Sequence, residues 1–206
     1  AKFAPKVLYW AGHPDLLRTG PRVSIVGSRK ASPEALARAR NLARLVVSNH
    51  GLVVSGLADG IDTAAHEAAI EANGRTIAVL GTPLDSCHPP KNQKLQDLIS
   101  REHLAVSQFE PSRPIRPMNF PIRNRTMALL SDATVIVESS DSGGSLHQGW
   151  EAIRLGRPLF LMRALLDRTD LAWPAKMIAY GATAFSDYVQ LLDAIPPPGV
   201  SPRLSF

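Results

Sequence analysis

A short apolar strand that stops at a glycine or serine and passes into a helix recurs along this 206-residue chain, and it restricts the fold more than any other feature. Val23–Val26 ends at Gly27-Ser28, and helical spacing follows from Pro33 to Asn49. There Leu36, Ala39, Leu42, Ala43, Val46 and Val47 recur three and four apart, with Gly51 as a stop. Leu52–Val54 ends at Ser55-Gly56 and leads to a helix over about Ile61–Ala72. Thr76–Leu80 ends at Gly81. Ala133–Glu138 runs into the polar stretch Ser139–Ser145, and a helix follows over about Leu146–Leu155. Such alternation predicts an α/β fold, a mostly parallel sheet with helices on both faces. In such sheets ligands sit outside the carboxyl ends of the strands, where these turns converge.

The remaining segments fit around that frame. Residues 1–22 read as an irregular lead-in with a short strand at Val7–Trp10. Thr82–Pro90, with three prolines, is a loop. Asn92–Ser100 is a short helix and Leu104–Ser107 a strand. Phe109–Pro121, with four prolines, is irregular, and helix resumes over Asn124–Ser131. Pro158–Met162 is a strand. A helix over Trp173–Ala179, a short strand around Ala182 and a helix over Asp187–Ala194 complete one domain over residues 1–194. Residues 195–206, with four prolines, read as an extended tail. Trp150 and Trp173 are read as core.

The net charge of +5 permits a nucleic-acid partner without demanding one. The lone cysteine, Cys87, rules out an intrachain disulfide framework and fits a reducing cytoplasm. No apolar run approaches the 18 or so residues of a membrane span, and the N-terminus lacks the series of a signal peptide.

Four stretches carry candidate chemistry. In Val23-Ser-Ile-Val-Gly-Ser-Arg-Lys30 a buried strand meets a helix N-terminus. Free backbone amides at Gly27 and Ser28, with Arg29 and Lys30 on the rim, would cradle the phosphate of a nucleotide or a nucleic-acid backbone. The alternative is an ordinary turn with solvated cations. In Ser55-Gly-Leu-Ala-Asp-Gly-Ile-Asp62, Asp62 can cap the helix or bind a ribose hydroxyl, and His66 lies one turn on, within reach of it. No further ligand has metal-site spacing, so no metal is expected. In Asn119-Phe-Pro-Ile-Arg-Asn-Arg125, Arg123 and Arg125 flank Asn124 at an expected helix start, and Phe120 offers a π face. Arginine forks beside an aromatic platform suit single-stranded nucleic acid. The alternative is a structural knot in which an arginine pairs with Glu110 or Glu138. Ser142-Gly143-Gly144-Ser145 is a third anion cradle, and Glu151 two turns later is either a general base or a solvent-facing carboxylate.

Together these motifs resemble the DNA-processing protein A (DprA/Smf) family. The matching stretches are Val23–Lys30, Ser55–His66, Thr76–Gly81, Leu84-Asp85 with Pro89–Asn92, Phe120–Arg125, and Ser142–Leu146 with Gly156-Arg157, in the family's order over about residues 6–160. The resemblance implies an extended Rossmann-like domain, without the small helical domains that often flank it. It implies binding and protection of single-stranded DNA, delivery to the recombinase RecA, a cytoplasmic homodimer and no cofactor. Arg29, Lys91, Phe120, Arg123 and Arg125 would line a basic DNA pocket. Backbone amides near Gly27, Ser28 and Gly56 would hold phosphates, with Lys30, Ser55, Asn124, Gly143, Gly144 and Ser145 around them. The chain departs from the family at Asp59, where a cation is common, at the reduced Gly81–Asp85 run and at His147–Glu151.

Two other readings use the same pocket. Arg123 with Met127, then Gly143-Gly144 and Glu151, is similar to the LOG-type nucleoside-monophosphate phosphoribohydrolases. Here, though, Asn124 replaces a lysine and Glu151 falls one residue late. There Arg123 would hold a phosphate and Glu151 would stabilise an oxocarbenium-like sugar. The third reading is a non-catalytic nucleotide sensor. The direction of Glu151 separates the first two: toward Arg123 for hydrolysis, toward solvent or a partner for DNA binding.

Overall fold

Strands that are buried on both faces need no polar alternation, and Arg22–Val26, Leu52–Ser55 and Thr76–Leu80 are buried at every residue. In the computed structural model, which describes residues 4–186 and 188–194, they lie at the centre of one eight-stranded sheet. Its strands are β1 (Tyr9–Gly12), β2 (Arg22–Val26), β3 (Leu52–Ser55), β4 (Thr76–Leu80), β5 (Leu104–Ser107), β6 (Ala133–Ile136), β7 (Leu159–Met162) and β8 (Thr183–Phe185), in the order β1-β5-β4-β3-β2-β6-β7-β8. All pairings are parallel except that of β1 with β5. The chain builds outward from β2 through β3, β4 and β5, then returns to its other side with β6, β7 and β8. The switch point lies between β2 and β6, which is where such sheets open a crevice.

The helices are α1 (Pro33–Ser48), α2 (Ile61–Glu71), α3 (Gln93–Glu102), α4 (Asn119–Leu130), α5 (Ser145–Arg154), α6 (Trp173–Ala179) and α7 (Tyr188–Ala194). Because strand side chains alternate, each strand feeds two cores. On one face Val23, Ile25, Val53 and Val135 meet Ala39, Leu42, Ala43 and Val46 of α1 and Ala65, Ala68 and Ala69 of α2. Leu80, Ala78 and Ala105 continue that face beneath Ile99 of α3. On the other face Val54, Ile77, Val79, Ile136 and Leu161 meet Met127 and Leu130 of α4, Leu146 and Ala152 of α5, and Trp173 and Met177 of α6. Trp150 is only half-buried; it packs edge-on against Tyr180 at 5.5 Å, with Lys176 over its ring. No helix among the described residues is long and apolar enough to cross a membrane.

Beyond Trp150 and the end of β6, which stops at Ile136 and not at the expected Glu138, the structure departs from the sequence reading at the first strand, at α4 and at the Asp62–His66 pair. The first strand lies at Tyr9–Gly12, two residues beyond the expected Val7–Trp10, where it finds β5 as an antiparallel partner. Helix α4 starts at Asn119, five residues before the expected Asn124, with Pro121 in its first turn. A first-turn proline lacks only an N–H that would have no helical acceptor, so Pro121 does not break this helix. Arg123 and Arg125 therefore sit in the second turn, away from the helix end. Third, Asp62 and His66 do not pair. The Asp62 carboxylate turns back to the Gly56 and Ala58 amides, and His66 Nδ1 lies 2.7 Å from Thr76 Oγ1. The expected Pro-rich tail at 195–206 lies outside the described residues.

Thr76 donates its one hydroxyl proton to Val53 O, so its oxygen accepts from His66 Nδ1–H. Burial, with Arg123 and His103 nearby, pushes the His66 pKa down to about 3 from 6.5. A histidine that is neutral when folded and protonated when unfolded gives stability that is complete above pH 6.5 and is lost as pH falls toward 3. At pH 5 the expected loss is about 2 kcal/mol. Urea midpoints at pH 7.5 and 5 measure it, and His66→Asn, which keeps a donor for Thr76, should flatten this part of the slope.

Candidate functional site

A small cleft open to solvent lies at the carboxyl ends of β2, β3 and β4, to one side of the β2–β6 switch point, lined by the segments that follow those three strands and by α4. Its floor is Arg123, buried on α4, whose NH1 donates to Gly56 O at 2.6 Å and to Val79 O. A Cβ at Gly56 would lie 2.3 Å from that nitrogen, so the glycine is what lets the guanidinium lie flat on the ends of β3 and β4. Burial lowers the Arg123 pKa to about 10, with the Asp62 charge opposing and Arg29 adding to the shift; it stays charged at neutral pH. Burial raises the Asp62 carboxyl, while Arg123 and the Gly56 and Ala58 amides favour its charged form.

One wall is Phe120, in the first turn of α4. Its ring lies against Gly81, where a Cβ would come within 2.6 Å of it. The Arg29 guanidinium sits 5.4 Å from the ring centroid, and the His88 ring also lies 5.4 Å away, tilted by 51°. Phe120 is half-exposed, while Arg29 and His88 are exposed. Ala58, Asp59 and Pro89 complete the lining. On the rim, Lys91 Nζ lies 2.9 Å from Asp59 Oδ1.

Two amides of the backbone cup expected at Gly27–Lys30 are taken from within the protein. Ser28 N donates to Glu138 O at 2.8 Å, and Lys30 N to Ser28 Oγ. The Glu138 carboxylate accepts from Ser32 N at 3.0 Å and Ser32 Oγ at 2.7 Å, while Ser32 Oγ caps α1 through Ala35 N. The anion at this helix N-terminus is thus a side chain of the protein. Gly56 N is likewise taken by Asp62. Of the first motif's cationic side chains, Arg29 lines the cleft, and Lys30 is exposed and outside the lining.

The other candidates lie away from the cleft lining. Ser55 Oγ donates to Ile25 O and pins β3 to β2. Asn124 Nδ2 donates to Gly144 O, Gly143 N to Ser140 O, and Ser145 Oγ to Ser139 Oγ, so the glycine turn is tied into the protein. Arg125 pairs with Glu151 at 3.0 Å, not with Glu110 or Glu138. Glu151 also takes Arg154 at 2.8 Å and does not line the cleft with Arg123. Sequence reasoning missed His88, which lies in an aperiodic loop with no signal to single it out; it noted Pro89 and Gly81 as parts of the family-like stretches, and Gly81 also as a strand end, without placing either against the cleft. Among the described residues no group of His, Cys, Asp and Glu could hold a metal ion.

Comparison with known proteins adds the following. The family model described as DNA recombination-mediator protein A matches residues 1–196. DNA processing protein DprA of Streptococcus pneumoniae is 40% identical over 159 residues, covering 76% of this chain and 55% of its own length. The Bacillus subtilis DprA is 31% identical over 192 residues, covering 93% and 65%. The chain thus spans roughly half to two thirds of the length of such relatives. Among solved structures, S. pneumoniae DprA superposes with a TM-score of 0.84 at 36% identity, over 93% of this chain and 67% of that one. DNA processing protein A of Helicobacter pylori, a structure described for its single-stranded DNA binding mode, gives 0.81 at 28% identity, over 92% and 86%. A molybdenum cofactor binding protein of Rippkaea orientalis, at 17% identity and a TM-score of 0.61 over 85% and 96%, shares the Rossmann-like fold alone.

Proposed function

Because the chain belongs to the DNA recombination-mediator protein A family, we propose that its cleft binds and protects single-stranded DNA, which it passes as a homodimer to a RecA-type recombinase. The observation that carries this reading is Phe120, half-exposed between the Arg29 guanidinium and the His88 ring above a cationic floor. A nucleic-acid base presents a π face whatever its identity, and stacking on an aromatic side chain is worth about 1–3 kcal/mol per base. Arg29 then serves the adjoining phosphate as a charge-assisted fork. The H. pylori relative, similar over most of both chains, supports the same ligand.

Fluorescence anisotropy with a labelled oligo(dT), at low and moderate salt and against a duplex competitor, tests it. Salt-sensitive binding with a preference for the single strand is expected. Phe120→Ala and Arg29→Ala should each weaken it by roughly tenfold while remaining folded at 25 °C by circular dichroism. Unchanged affinity in both variants would remove the cleft as the binding site. The phosphoribohydrolase reading needs Glu151 beside Arg123, and Glu151 is held instead by Arg125 and Arg154. No release of base from nucleoside monophosphates is therefore expected.

A further inference from the structure

Among the described residues Asp59 is the one acidic residue lining the cleft, and its carboxylate holds a cation of the rim, Lys91, at 2.9 Å. The segments that carry the two residues are tied to each other. Asn92 Nδ2, beside Lys91, donates to Leu57 O and to Thr63 Oγ1, each at 2.9 Å, and Thr63 Oγ1 donates to Ala58 O at 2.7 Å. These bonds lock the 3-10 turn Pro90–Asn92 to the Leu57–Thr63 turn, so the backbones on either side of the ion pair are fixed to each other.

Arg123 lies with its donors on Gly56 O and Val79 O, and Lys91 is neutralised by Asp59. Arg29 is left as the exposed, outward cation of the lining. We propose that Asp59 acts as an internal competitor for phosphate: it withholds Lys91 from the bound strand and sets the affinity of the cleft below what its cations allow. This rests on the single-strand reading above and deepens it. A phosphate at this rim meets a carboxylate first and must take Lys91 from it.

The test is a double-mutant cycle on the whole chain, read by anisotropy with labelled oligo(dT). Asp59→Asn keeps the side chain's shape and removes its charge. It should tighten binding by about threefold to fivefold, the scale of one exposed ion pair. It should also steepen the dependence of log K on log salt by up to about 0.7, one further phosphate on a single strand. Lys91→Gln alone should weaken binding by about twofold, and in the Asp59→Asn chain it should abolish most of the gain, because the released cation is then missing. If Asp59→Asn gives the same gain with Lys91→Gln as without it, the carboxylate acts only as a general charge and the proposal fails. It also fails if Asp59→Asn leaves affinity unchanged while the native protein binds; the single-strand reading then stands. Binding by neither the native chain nor Asp59→Asn overturns both, whereas binding by Asp59→Asn alone supports the proposal.

Discussion

Arg123→Ala is expected to lower stability by about 3–5 kcal/mol, because it leaves the buried Asp62 carboxylate without its compensating charge and two strand-end carbonyls without a donor. For a chain of this size that is a fall of roughly 10 °C in Tm. The residue is 4% exposed, its NH1 bridges Gly56 O and Val79 O, and Nε donates to Asn124 Oδ1. Arg123→Lys should rescue little, since one ammonium cannot reproduce a planar fork that serves β3, β4 and α4 together. Adding Asp62→Asn to Arg123→Ala should recover part of the loss by removing the stranded charge. Thermal melts of the four proteins measure this, and a melt for Arg123→Ala within 2 °C of the native chain would show that the floor does not depend on it. Loss of DNA binding in Arg123→Ala thus reports the loss of the floor, and Arg29 and Phe120 are the residues that probe contact.

Asp132→Ala is expected to cost a similar amount at the opposite end of the sheet. Asp132 accepts from Arg22 Nε at 3.1 Å, NH2 at 2.9 Å and the Arg22 amide at 2.8 Å, and Arg157 approaches it to 3.5 Å. Arg22 is 1% exposed, and its NH1 also holds Leu17 O at 2.7 Å. Truncating the acid strands a buried guanidinium, which costs about 3–5 kcal/mol. The urea midpoint should fall by roughly 2 M. Replacing both partners, Arg22→Met with Asp132→Leu, should regain much of this, since an apolar pair leaves nothing unpaired. Oligo(dT) affinity of the folded fraction should not change, because these residues lie at the amino ends of β2 and β6, away from the cleft. A change in affinity with stability intact would place this pair in the binding machinery and contradict the geometry.

How much of the site could be read in advance depended on how local its causes were. The β2, β4 and β5 segments are apolar runs bounded by small or polar residues, so their extents are legible to within a residue. The start of α4 was not, because a proline that breaks a helix interior is harmless in a first turn, and only packing shows which case holds. The glycines at 27, 56 and 81 were legible as strand ends. Their reasons were not, since the atoms that crowd them belong to Ile61, Arg123 and Phe120.

The alternating α/β order, the mostly parallel sheet and the end of that sheet where the cleft opens were legible in the chain. These follow from hydrophobic period and from turn chemistry, which act over a few residues. Which of the charged groups face the cleft depends on packing between distant segments. Glu138 reaches back across 106 residues to Ser32, Arg123 across 67 to Gly56, and Asp132 across 110 to Arg22. A buried polar group must find a partner wherever packing puts one. The same cation can therefore be a binding residue or a structural one, and Arg29 and Arg123 are distinguished by what the fold sets beside them.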